Sequence, residues 1–130
     1  MRAVGLRRLF SALPPVLVLA GWWLLLGPEF LGGPAGYIIV QGVSMEPTLY
    51  AGDLVVTRRE AAYEVGQVVA YRVAEGIVIH RIVGRSAGER FLTKGDSRAE
   101  LDPWQPKPAD IIGRLWVHIP GAGRWLERLR

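Results

Sequence analysis

Val68-Val69-Ala70-Tyr71-Arg72-Val73-Ala74-Glu75-Gly76-Ile77-Val78-Ile79-His80-Arg81-Ile82-Val83 is a pair of β-branched runs joined by a glycine turn. The Glu75-Gly76 pair reads as a hairpin turn, so strands are predicted over 68–73 and 77–83. Working outward, Glu64-Val65-Gly66-Gln67 is a turn, and Leu54-Val55-Val56-Thr57 is a strand that follows the turn Ala51-Gly52-Asp53. Further upstream, Tyr37 to Val43 is β-branched and predicts a strand leading straight into Ser44. On the other side, Ser86-Ala87-Gly88-Glu89 turns into a short strand over 90–93, and Lys94 to Pro103 is a polar loop. The segment 104–110 is proline-spaced and irregular, 111–119 offers a last strand, and 125–130 is a short amphipathic tail. Short strands in succession, with glycine turns between them, point to a mainly β, antiparallel assembly rather than alternating βαβ units.

The 130 residues suit one domain, and a β-rich core is within reach of the part that follows the N-terminal third. With no cysteine, neither a disulfide framework nor a thiolate zinc site can form. The formal net charge of +4 is scattered along the chain. A nucleic-acid binder would cluster it, so the charge reads as positive flanks for an anionic membrane surface.

Residues 1–8 carry Arg2, Arg7 and Arg8, and 9–28 carry no charge at all. That run of 20 has the length of a helix that crosses a bilayer. Trp22 and Trp23 lie toward its far end, where indoles favour the interface, while Pro14 and Pro15 predict a kink. Arginines before the span and Glu29 after it place a single-pass anchor in the cell membrane, N-terminus cytoplasmic. Residues 29–36 then read as a linker and 37–130 as an extracytoplasmic β-rich domain. Two rivals are a buried core helix, which is rarely so uniformly apolar, and a cleavable secretory segment with Gly33-Pro34-Ala35 as its small-x-small site. The apolar run is longer than such a segment needs, and proline beside the cut is unfavourable.

Ser44 sits in Gly42-Val43-Ser44-Met45-Glu46-Pro47-Thr48-Leu49. Pro47 fixes its own φ and pushes Glu46 out of the helical region, so Ser44 stands at a defined bend. A serine hydroxyl is a weak nucleophile and needs an imidazole or a desolvated amine as its base. The candidates are few: His80 and His118, or Lys94 and Lys107. Asp96 and Asp102, in the polar loop, are carboxylates that could orient a histidine. Taken singly, each has a plainer reading as a core histidine or a turn aspartate.

Taken in order, the blocks are more specific. The serine block, Gly52-Asp53-Leu54-Val55, Val65-Gly66-Gln67-Val68-Val69-Ala70-Tyr71, Ile79-His80-Arg81-Ile82-Val83 and Phe91-Leu92-Thr93-Lys94-Gly95-Asp96 resemble the type I signal peptidase family (peptidase family S26). Histidine at position 80, where most bacterial members have lysine, is similar to the endoplasmic-reticulum and archaeal type. The resemblance implies Ser44 as nucleophile, His80 as general base and Asp102 as the acid orienting His80. Asp96 would be a second, supporting acid. It also implies a signal peptidase/LexA-like antiparallel β fold after one transmembrane helix, and signal peptidase I activity without cofactor or metal. The implied partners are secretory preproteins, the lipid membrane and possible translocon or accessory subunits.

Many relatives carry a serine two residues before the nucleophile, where this chain has Gly42. The oxyanion would then depend on backbone amides, including that of Ser44. Two other readings stand beside this one. One is a serine–lysine self-processing protease using Lys94, and the other a non-catalytic, membrane-anchored domain that binds signal sequences.

Overall fold

The computed structural model describes residues 3–129, with side chains described from residue 12 onward. The chain divides into two compact units, Met1–Ala35 and Gly36–Arg130.

In the first unit, α1 (Ala3–Leu26) is a single helix that runs through Pro14 and Pro15. Gly27 closes it, its N–H bonded to Trp23 O at 2.9 Å. A 3-10 turn over Glu29–Leu31 follows, ending at Gly32 in the left-handed conformation with φ +83°. The expected linker 29–36 is therefore partly structured. Among the described residues, no helix is long and apolar enough to cross a membrane. The expected span over 9–28 is thus not supported by the described residues. The expected basic stretch 1–8 and the first residues of the expected span lie outside the residues whose side chains are described.

The second unit is built on a six-stranded sheet of β1 (Ala35–Ile39), β2 (Leu54–Arg58), β3 (Val68–Val73), β4 (Gly76–Ser86), β5 (Arg90–Lys94) and β6 (Ile111–Ile119). Their order is β1-β2-β6-β3-β4-β5. The last strand in sequence thus sits near the centre, antiparallel to both β2 and β3. The hairpin over 68–83 forms in full register, from Val73↔Gly76 to Val68↔Arg81. β4 then continues past Val83 to pair with β5, through an irregularity between Ile82 and Gly84.

Alternation along the strands separates two cores. On one face of the β3–β4 hairpin, Val69, Tyr71 and Ile82 pack with Tyr63, Phe91 and Ile111. On the other, Val68 packs with Val40, Met45, Leu49 and Val55, with Ile79 and Leu115 beside them. The fully buried side chains among these, such as Tyr71, Phe91, Leu49 and Val55, each contribute about 1.5–3 kcal/mol by leaving water.

The strand expected to run into Ser44 stops early. β1 ends at Ile39, and Val40 exchanges backbone bonds with the 52–53 turn: Val40 N–H to Asp53 O and Gly52 N–H to Val40 O, both 2.9 Å. Gly42 then takes φ +85°, which ends the extended run. The segment 44–49 is a turn whose Met45 and Leu49 are buried and pin it to the second core. The C-terminal tail forms α2 (Ala122–Glu127), starting a little earlier than the expected 125–130.

Candidate active site

His80 occurs in a β-branched strand, and its place there decides its surroundings. It pairs across the hairpin with Val69, so its ring lies on the Val69–Tyr71 face, with the imidazole nearly covered. Ser44 comes from the turn after β1, and Asp102 from the polar loop after β5. Asp102 is fastened by its own N–H to Thr93 O at 2.9 Å.

The three side chains form a line. Ser44 Oγ lies 2.9 Å from His80 Nε2, and His80 Nδ1 lies 2.6 Å from Asp102 Oδ2. An ionised carboxylate only accepts, so Nδ1 carries the proton and Nε2 offers its lone pair to the serine hydroxyl. Burial works against the charge on Asp102, yet the bonds from His80, Thr93 and Tyr71 hold its carboxyl below the ordinary range. The arrangement can take a proton from Ser44 onto His80 while Asp102 stays charged.

Arg81, the next residue, leaves the strand on the opposite face and grips Asp96 with two bonds: Nε to Oδ1 at 2.8 Å and Nη2 to Oδ2 at 2.7 Å. Thr48 Oγ1 donates to the same carboxylate at 2.6 Å. Asp96 therefore ties the Ser44 turn to β4 rather than touching the histidine. Its carboxyl is held low chiefly by the Arg81 bonds, against the effect of burial.

Residues 24–116 match the model of the Peptidase S24-like family. The chain belongs to the Peptidase S24-like family. No curated protein matches the chain. The S24-like match and the signal-peptidase resemblance agree on a serine-peptidase type of fold, here a mainly β antiparallel sheet.

Within this S24-like domain, the remaining sequence candidates lie elsewhere. Lys94 Nζ donates to Arg98 O at 2.6 Å and to Gly95 O at 3.4 Å, which commits it to its own loop. His118 bonds Asp53 Oδ2 at 2.7 Å. Asp53 is 2 % exposed and also accepts the N–H groups of Tyr50 and Gly121, both at 2.9 Å. Burial pushes the Asp53 carboxyl up, but these backbone bonds and then His118 leave it below its usual value. That second histidine–aspartate pair staples β6 and the start of α2 to the 50–53 turn.

Two site residues were not singled out from the sequence. Tyr71 OH donates to Asp102 Oδ2 at 3.0 Å and lies 3.0 Å from Thr93 Oγ1. Burial, and then the neighbouring Asp102 charge, push the Tyr71 phenol well above its usual range, so it stays a donor. Strand alternation could have found it, because residues 69, 71 and 80 share one face of a recognised hairpin.

Ser44 and His80 open onto a groove of about 1080 Å³. Its walls include Ile38 to Gln41 on one side, Gly76 to Ile79 on another, and the 98–104 loop. β1 is one of the two edge strands of the sheet, and the pairing of β4 with β5 begins only at Arg81. Two strand edges thus line the groove beside the serine.

Proposed function

We propose that this chain is a membrane-anchored serine endopeptidase that removes N-terminal signal peptides from exported preproteins, as a signal peptidase I does. The observation that carries the reading is the Ser44–His80–Asp102 line opening into a groove edged by strands. His80 takes the Ser44 proton as Oγ attacks the scissile carbonyl, and then delivers that proton to the departing amine. Water attacks the resulting acyl-enzyme with His80 again as base, and Asp102 holds the ring throughout. An extended substrate would add alongside β1 or the Gly76–Ile79 edge of β4, satisfying its backbone without reading its sequence. Small side chains before the cut let the scissile bond come close to Ser44.

The uncharged run 9–28 supports an anchor, N-terminus cytoplasmic and catalytic unit extracytoplasmic. Leu17, Leu19 and Leu24 of α1 are more than 60 % exposed, which suits lipid or an accessory subunit better than water. The S24-like match also favours a self-processing protease as a second reading. The carbonyl bonds of Lys94 weigh against that lysine as its base.

The test is incubation of the full chain in detergent with a model preprotein, followed by N-terminal sequencing of the product. A cut after a small-x-small site, absent in Ser44→Ala, supports the reading. An intact preprotein beside a chain that shortens itself favours self-processing instead.

A further inference from the structure

One residue holds both carbonyls flanking the nucleophile. Ser97 Oγ donates to Val43 O at 3.0 Å, and Ser97 N–H donates to Ser44 O at 3.0 Å. Val43 O also receives the Glu46 N–H at 3.1 Å. In a trans peptide the N–H points opposite to the carbonyl of the same unit. Fixing Val43 O toward Ser97 therefore turns the Ser44 N–H away from the 95–98 loop that backs it. That backing is tight, since a Cβ on Gly95 would stand 2.5 Å from Ser44 O. Gly42, two residues before the nucleophile, has φ +85° and open space where a side chain would be.

We propose that Ser97 is a positioning residue whose hydroxyl presets the Ser44 N–H as the oxyanion donor, in a chain whose Gly42 brings no hydroxyl to that task. The inference rests on the peptidase reading. As Ser44 Oγ bonds to the scissile carbon, the carbonyl π pair moves onto oxygen and the serine proton goes to His80. The new oxyanion needs a donor already aimed at it, because an N–H that must first reorient loses most of its value. The backbone bond from Ser97 N–H does not depend on the side-chain hydroxyl and remains available in threonine or valine variants. The Oγ bond is the one that sets the Val43–Ser44 peptide.

Ser97→Thr and Ser97→Val are matched in shape and differ in the hydroxyl, and both are assayed in the full chain in detergent on a model preprotein. Ser97→Thr retains kcat. Ser97→Val loses about tenfold to hundredfold in kcat, less than deletion of an oxyanion donor, with KM within about twofold. A peptide aldehyde, which forms a tetrahedral adduct on serine, weakens by the same factor, while a non-reactive product peptide binds as before. Equal kcat in the two variants overturns the inference, as does a parallel loss of product-peptide binding. A wild type no faster than Ser44→Ala removes the peptidase reading and this inference with it. A Ser44-dependent wild type matched by Ser97→Val removes this inference alone.

Discussion

His80 and Arg81 are neighbours in β4 and hold different aspartates, because consecutive strand residues point to opposite faces. His80 meets Asp102 at 2.6 Å, and Arg81 meets Asp96 at 2.7 Å. One step along the strand separates a proton-handling pair from a pair that braces the serine turn.

The two acids should therefore fail differently. Asp102→Asn leaves the wrong hydrogen bond on His80 Nδ1 and is expected to cut kcat by about 10³-fold or more. Asp96→Asn keeps the Ser44–His80 contact but loses charge-assisted bonds to Arg81, costing about 1–2 kcal/mol of stability and a smaller share of kcat. Preprotein cleavage rates and thermal unfolding of both variants check the contrast. Equal kinetic losses would contradict it.

Tyr71→Phe removes a buried donor from Asp102 Oδ2 and a partner from Thr93. The ring still fills the core, so the expected loss is about 1–2 kcal/mol in unfolding free energy with a several-fold fall in kcat. Denaturant melts and single-turnover cleavage measure the two parts. An unchanged kcat would show that Asp102 needs no help from the phenol.

Much of this was legible in advance. The strands 68–73 and 111–119 fall where the β-branched runs lie, the first bounded by Gly66 and Gly76 and the second by Pro108 and Pro120. Ser44, His80 and Asp102 were assigned through the signal-peptidase resemblance, since singly each had a plainer reading, and the fold brings them together. The partner of Asp96 was readable from the parity of His80 and Arg81 but needed the register to be known. What pattern could not supply was long-range. β6 between β2 and β3 is a choice among strand orders that local periodicity does not encode. The end of β1 at Ile39 depends on Val40 pairing with the 52–53 turn, again a contact distant in sequence.

Acid should loosen the fold in a defined window. The carboxyls of Asp53, Asp96 and Asp102 are all held below the ordinary aspartate range in the folded chain, so the unfolded chain binds more protons there. Their contribution is fully present above the unfolded value and is lost as pH falls through the lower folded values. The thermal midpoint should hold from about pH 7 to pH 5 and fall below about pH 4. Asp96→Asn should flatten that fall. A midpoint that rises on acidification would have the sign wrong.

Gly95→Ala would place a methyl 2.5 Å from Ser44 O and 3.0 Å from its Cβ. The obstacle is backbone, so the nucleophile has to move. A shift of about 1 Å is worth roughly 10²-fold in rate. Cleavage kinetics should show that loss in kcat, with the sheet intact by circular dichroism. Wild-type kcat would mean the turn has slack that the close packing denies.

The Ser44–His80 pair is tested most directly by covalent labelling. The full chain in detergent is treated with a serine-directed peptide phosphonate, and the adduct is mapped by mass spectrometry. Wild type and Lys94→Ala should be labelled on Ser44 at similar rates, and His80→Ala at least about 100-fold more slowly. Labelling of His80→Ala at the wild-type rate, or its loss in Lys94→Ala, would contradict the assignment of His80 as the base.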